Sequence, residues 1–287
     1  MRSVAVVTDS THYLPRPLRE ANGIHQVSLY VNWEGRQDRE ADLPSFDAYY
    51  EHLRVAPKLP TTSQPSMGDF LAVYEPLVAE GNDIVSIHLS AGISGTFEAA
   101  RQAKEKLEED LGEDRVTVLD SATSCGGLGM VVLAAAAAAR ARGDRAAVAQ
   151  RARETREQLK IWFAIDTMEF LRRGGRVGAA RAWLGSTLKI KPILTLEAQI
   201  TPVERVRTSG RALERMMEYM ESLHDNQADS WVVQHIQDLD RAERLIERGR
   251  EVFGTEPLWV SEIGPVIGTH LGPGMLGVAG CPPRCFA

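Results

Sequence analysis

Short β-branched runs recur along the chain, each ended by small hydroxyl residues and most followed by helical spacing. The clearest case is Ile84 to Ala100. Ile84, Val85, Ile87 and Leu89 suit a buried strand, Ser90 to Thr96 break it, and a helical pattern resumes at Phe97. Ser3 to Val7 and Arg115 to Leu119 repeat the motif, stopped by Thr8-Asp9-Ser10-Thr11 and by Asp120-Ser121-Ala122-Thr123-Ser124. Gly23 to Val31 reads as one further strand. Asp42 to Leu53 reads as a helix, and so does Met67 to Ala79, with Phe70, Val73, Tyr74 and Leu77 on one face. The stretch Pro57 to Ser66 is interrupted by prolines and rich in hydroxyls, which predicts an irregular loop. Gly126-Gly127-Leu128-Gly129 leads into an Ala-rich helix reaching about Arg142, and a charged helix follows from Arg145 to Lys160.

Beyond residue 160 the pattern changes. Ile161 to Ile165 is a strand signal, and Phe170 to Leu196 is basic and punctuated by glycine. Lys189 to Leu196 and Thr201 to Thr208 read as strands joined near Ala198-Gln199 into a hairpin. Helices are expected at Arg211 to Leu223 and Arg241 to Phe253, with strands at Ser230 to His235 and Leu258 to Glu262. Strand and helix alternate in the first half, whereas the second contains a hairpin. This predicts an α/β protein of two domains. Residues 1–158 would form a parallel-sheet, Rossmann-like domain, and residues 159–287 an α+β domain with a mixed or antiparallel sheet.

Composition narrows the function classes. Charged residues are 25% of the 287 and apolar ones 44%, as in an ordinary globular protein. The net charge of −6 argues against nucleic acid as the main partner. Cys125, Cys281 and Cys285 make no disulfide framework and fit a reducing compartment. The N-terminus enters a strand at once, and Met130 to Ala139 is about half the length that crosses a bilayer. A cytoplasmic protein is expected.

Several chemistries lack their residues. No histidine pair has the helical i, i+4 metal spacing, and Cys281 to Cys285 is a lone CxxxC, so no metal is expected. A P-loop is missing, and the glycines from Gly127 lose the dinucleotide pattern at Val132. Gly92-Ile93-Ser94-Gly95 approaches a nucleophile elbow but has Thr96 where the motif needs glycine. A serine hydrolase using Ser94, with His270 as base and Asp9 or Asp120 as its orienter, is the enzymatic alternative. What remains is a set of loop hydroxyls, Thr8/Ser10, Thr61/Thr62/Ser63, Ser94/Thr96 and Ser121, suited to a carboxylate or another small anion.

The chain resembles the DegV family, whose members include the fatty-acid-binding subunits of bacterial fatty acid kinase. The resemblance is carried in order by VVTDST (Val6 to Thr11), LPTTSQPS (Leu59 to Ser66), SAGISGTF (Ser90 to Phe97) and VLDS (Val118 to Ser121). It continues with LRRGGRVG (Leu171 to Gly178), LKIKPIL (Leu188 to Leu194), VRT (Val206 to Thr208) and IGTHLGPGMLGV (Ile267 to Val278). It implies a non-catalytic carrier that buries a long-chain fatty acid, such as palmitate, stearate or oleate, with no other cofactor. The acyl carboxylate would be bonded by Thr62, Ser94 and His270, with Ser63, Gly95, Thr96 and Gly268 in the surrounding loops. Arg173 and Arg207 match positions that engage the ATP-dependent kinase subunit or the acyl-phosphate head group, and transient membrane contact is left open. Ile93, Phe163, Ile165 and Ile193 are candidates for the apolar sleeve. The tail Ala279 to Ala287, with Pro-Pro and two cysteines, departs from the family's expected strand end.

Overall fold

The computed structural model describes residues 2–183 and 190–287. Its first half runs β1 (Val4–Asp9), α1 (Arg16–Ala21), β2 (Ile24–Val27), β3 (Tyr30–Trp33), β4 (Arg36–Arg39), α2 (Asp47–Val55), β5 (Thr61–Ser63) and α3 (Met67–Ala79). It continues through β6 (Asp83–His88), α4 (Thr96–Leu111), β7 (Val116–Asp120), α5 (Cys125–Arg140) and α6 (Arg145–Gln158). The second half runs β8 (Lys160–Ala164), α7 (Glu169–Gly174), β9 (Lys191–Glu197), β10 (Gln199–Val206), α8 (Ser209–Asp225) and β11 (Ser230–His235). It closes with α9 (Leu239–Phe253), β12 (Val260–Glu262), α10 (Pro265–Leu271) and β13 (Leu276–Cys281).

The apolar runs β1, β6 and β7 pair in parallel with β2 in the order β2-β1-β6-β7. Their carboxyl ends therefore release the three hydroxyl-rich loops along one edge of the sheet, the usual ligand side of an open α/β sheet. In the second half, six strands lie in the order β10-β9-β8-β13-β11-β12, antiparallel except for the parallel pair β11 and β12. The architecture is two-domain α/β with one parallel and one mixed sheet. The Rossmann-like description covers only the parallel part, because the first half also holds a three-stranded antiparallel sheet, β4-β3-β5.

That small sheet corrects two expectations. Gly23 to Val31 is two strands rather than one, since Ser10 Oγ accepts from Leu29 N–H and the chain leaves the parallel sheet after Val27. The proline-rich loop contains a strand, β5, because its prolines flank Thr61–Ser63 without entering it, and these residues pair with β3. The helix expected from Asp42 starts only at Asp47, after Pro44. Lys189, the first residue of the expected β9, lies outside the described residues; the strand begins at Lys191.

Helix α5 explains the Ala- and Gly-rich stretch. Every residue from Cys125 to Ala136 is buried, and a helix apolar on all sides belongs in an interior. It lies between the two sheets, where a Cβ at Gly126 would come within 2.8 Å of Val232 and one at Gly129 within 2.8 Å of Trp259. The glycines serve close packing. The largest core cluster accordingly takes residues from both halves, from Val6 to Cys285. All three cysteines are free and buried, and Cys281 ends β13, so the Pro-Pro tail follows a complete strand.

Candidate functional site

Between the halves lies a cavity of about 300 Å³. Its wall is mostly apolar: Leu29, Leu89 and Ile93 come from the first half, and Phe163, Leu196 and Val278 from the second. Ile93 and Phe163 were sleeve candidates. Ile165 and Ile193 do not border the cavity; both are packed in the core on β8's continuation and on β9.

Polar groups from a strand, a loop and a helix end edge this cavity. Strand β5 presents Thr62, the loop after β6 presents Ser94, and the last turn of α10 presents His270. Thr62 Oγ1 lies 3.0 Å from His270 Nε2. Ser94 Oγ lies 2.9 Å from Thr96 Oγ1. Thr62, Ser94 and His270, distant in sequence, therefore border one space. Ser63 and Gly95 border it too, with the Ser63 hydroxyl accepting from Asn32 Nδ2 at 2.9 Å. Gly95 leaves room for the Gln64 amide, whose Oε1 would stand 2.0 Å from a Cβ there. Thr96 is buried at the start of α4, behind the wall. Gly268 faces away from the cavity: its missing side chain lets the Tyr50 hydroxyl approach to where a Cβ would be 2.1 Å off.

His270 is held by its surroundings. Its Nδ1 is buried without a hydrogen-bond partner among the described residues, against Gly174 of α7, where a Cβ would come within 2.2 Å. Burial, and then the nearby Arg176 guanidinium, push the imidazole down from 6.5 to about 4. The ring is neutral at pH 7 and can offer one N–H. At the other end of α10, the Glu40 carboxylate accepts from Val266 N–H at 2.7 Å, Tyr13 OH at 2.9 Å and Ser10 OH at 2.8 Å. Burial pushes this carboxyl up to about 7 despite those donors. Glu40 thus anchors the helix that carries His270, and nothing in the sequence pattern pointed to it.

Of the described cations in the basic segment, it is Arg176 that borders the cavity, bridging Ile93 O at 3.4 Å and Gly174 O at 2.9 Å. Arg173 and Arg207 do not border it. Arg173 lies on the surface, donating to Pro57 O at 3.4 Å, and Arg207 is exposed. The segment's charge is partly answered from just outside it, by Glu169 against Arg172 and Asp166 against Lys191. Thr8, Ser10 and Ser121 likewise lie off the cavity.

The hydrolase arrangement is not assembled. Ser94 bonds Thr96 and His270 bonds Thr62, so no nucleophile–base hydrogen bond joins Ser94 to His270. Asp9, offered as an orienter, is committed elsewhere: His88 Nδ1 lies 3.1 Å from its carboxylate, and Leu89 N–H and Thr11 OH donate to it. Burial alone would raise its pKa, but the His88 contact and these donors overcome that and hold it below the usual range. Ser86 Oγ lies 2.6 Å from His88 Nε2, which completes a serine–histidine–aspartate set. All three are fully buried, out of reach of a substrate. Asp120 accepts from Ala91 and Ala122 N–H. No helix among the described residues is long and apolar enough to cross a membrane.

Comparison with known proteins agrees with this architecture. The model of the DegV family, described as uncharacterised, matches residues 3–282. A DegV domain-containing protein of Streptomyces coelicolor is 39% identical over 280 residues, covering 96% of this chain and 98% of its own. The crystal structure of DegV, a fatty acid binding protein from Bacillus subtilis, is similar with a TM-score of 0.88 and 34% identity, covering 98% and 99% of the two chains. A structure reporting fatty acid binding of a DegV family protein from Thermus thermophilus has a TM-score of 0.86 and 32% identity at the same coverage. On a family match spanning nearly its whole length, this chain belongs to the DegV family.

Proposed function

We propose that the protein is a fatty-acid carrier that buries a long acyl chain in the cavity and holds its carboxylate with Thr62, Ser94 and His270. The observation that carries this is the cavity itself: an apolar sleeve bordered by hydroxyls and a neutral imidazole from both halves. The described relatives that bind fatty acids support it. Each buried CH₂ contributes about 0.8 kcal/mol, so the tail supplies affinity and the head group orientation. The hydroxyls and one imidazole N–H bond the carboxylate without a buried counter-charge, and Arg176 at the rim adds a cation within reach of solvent.

A carrier of this form keeps its carboxylate near the surface for another protein to use. In our reading that partner is an ATP-dependent fatty acid kinase, which makes the acyl-phosphate, while this chain performs no catalysis and works in the cytoplasm, touching the membrane only transiently. Arg173 and Arg207, being on the surface, are assigned to the kinase contact. The test is mass spectrometry of lipid extracted from the purified protein, followed by oleate titration of the delipidated form. A protein that carries no acid and fails to take up oleate or palmitate overturns the proposal. Acyl-phosphate formed with kinase and ATP, and absent when either is omitted, supports the second step.

A further inference from the structure

The wall of the sleeve holds a polar pair that a plain hydrocarbon tail does not use. Ser124 and Gln234 both border the cavity, and they are only 3% and 4% exposed. Ser124 occupies the N-cap of α5, where a serine normally accepts a hydrogen bond from its own helix. Here its side chain makes no cap bond. Its one hydrogen-bond partner among the described residues is the Cys125 sulfur at 3.6 Å, a weak one. The capping role passes to Gln234, which reaches across from β11 so that its Oε1 accepts from Gly126 N–H. Gln234 Nε2 donates to Ser261 Oγ at 2.9 Å, which uses one of its two hydrogens; the second finds no acceptor among the described residues. Around them the wall is apolar, with Val232 and Phe163 among their neighbours in the cavity lining. Had these side chains served α5 alone, either could have capped it and the other position could have been aliphatic.

We infer that the acid this cavity takes carries an oxygen substituent on its chain, received by Ser124 and the free N–H of Gln234. This deepens the fatty-acid reading and rests on it. A hydroxyl on the chain suits both groups: it accepts from Gln234 Nε2–H and either donates to or accepts from Ser124 Oγ. A keto oxygen can only accept, from the same two donors. A saturated tail leaves both donors against hydrocarbon, which is the costly case for a buried polar group.

The experiment compares dissociation constants for stearate and for a series of hydroxystearates with the hydroxyl at successive chain positions, on delipidated wild type and on Ser124→Ala. In wild type one region of the series is expected to bind about tenfold more tightly than stearate, the scale of one net buried hydrogen bond. In Ser124→Ala that ratio should fall to about twofold or less. Because Ser124 makes no cap bond, the variant should melt with wild type, so the ratio is read on a folded protein. Stearate binding as tightly as every isomer in wild type overturns the inference and leaves the carrier reading standing. An undiminished ratio in Ser124→Ala also overturns it. Failure of stearate and all isomers to bind instead counts against the carrier reading itself.

Discussion

Replacing Gly174 by alanine perturbs His270 without touching the ligand. Gly174 is the last residue of α7, and its backbone is not in the left-handed region; that belongs to Gly175, with φ 72°. Alanine is the better helix former by up to about 1 kcal/mol, so α7 itself gains. The new Cβ would stand 2.2 Å from His270 Nδ1 and 3.0 Å from Cε1. Ordinary contact needs about 3.4 Å, so the ring must move by roughly 1 Å or rotate. Either movement breaks the 3.0 Å contact of Nε2 with Thr62 and removes one donor from the carboxylate. A hydrogen bond to a charged group is worth about 1.5–3 kcal/mol, so oleate should bind about 10- to 100-fold more weakly. The assay is isothermal titration of delipidated protein with oleate, beside a thermal melt. Affinity within about twofold of wild type, at an unchanged melting temperature, would show that His270 takes no part in holding the head group.

Ser94→Ala removes one neutral donor and should weaken oleate about tenfold, with acyl-phosphate formation falling in parallel; unchanged values for both exclude Ser94 from the site. A fluorophosphonate probe should leave Ser94 unlabelled, since its hydroxyl bonds Thr96 and not a base, and stoichiometric labelling would revive the hydrolase. Stability should also depend on pH through three buried groups. His12 and His270 are each lowered from 6.5 to about 4, mainly by burial, so the unfolded chain gains protons first as pH falls and each costs about 3 kcal/mol by the end of that window. Glu40, raised from 4.5 to about 7, works the other way: its contribution is present at low pH and is lost as pH rises through 7. Urea unfolding of Glu40→Gln across this range should therefore show a steeper loss of stability on acidification than wild type, and parallel profiles would refute the assignment.

The parts of the fold that were legible are those in which local pattern and burial coincide. Strands β1, β6 and β11 are β-branched runs in the sequence and are buried at every residue but the first, while β7 is buried at Val116 and Leu119. The β3–β4 hairpin was not legible, because β4 is the polar edge Arg36–Arg39 with no apolar alternation. A signal did exist in Glu34-Gly35, both at positive φ, as a tight two-residue hairpin turn requires. Helix α10 hides behind Gly268, a poor helix former kept because Tyr50 occupies the space of its side chain. For the site, Thr62 and Ser94 stand out as hydroxyls at loops, whereas a single histidine gives no pattern: the residues alone offer His270 only as the base of the hydrolase alternative, and its place at the carboxylate comes from the family resemblance. Arg176 sat in a row of similar cations, and only folding separates it from Arg173.

Helix α5 is wedged between the sheets, with a glutamine from the second half completing its first turn. A cut in the chain between α6 and β8 would thus leave two fragments, each missing one side of a shared interior, and neither should be obtainable as a soluble piece. Loading and unloading must then proceed with the wedge in place. Beside the cavity, Ala91 and Gly92, and Arg172, Arg173, Gly175 and Arg176, lie exposed to solvent, outside the shared interior.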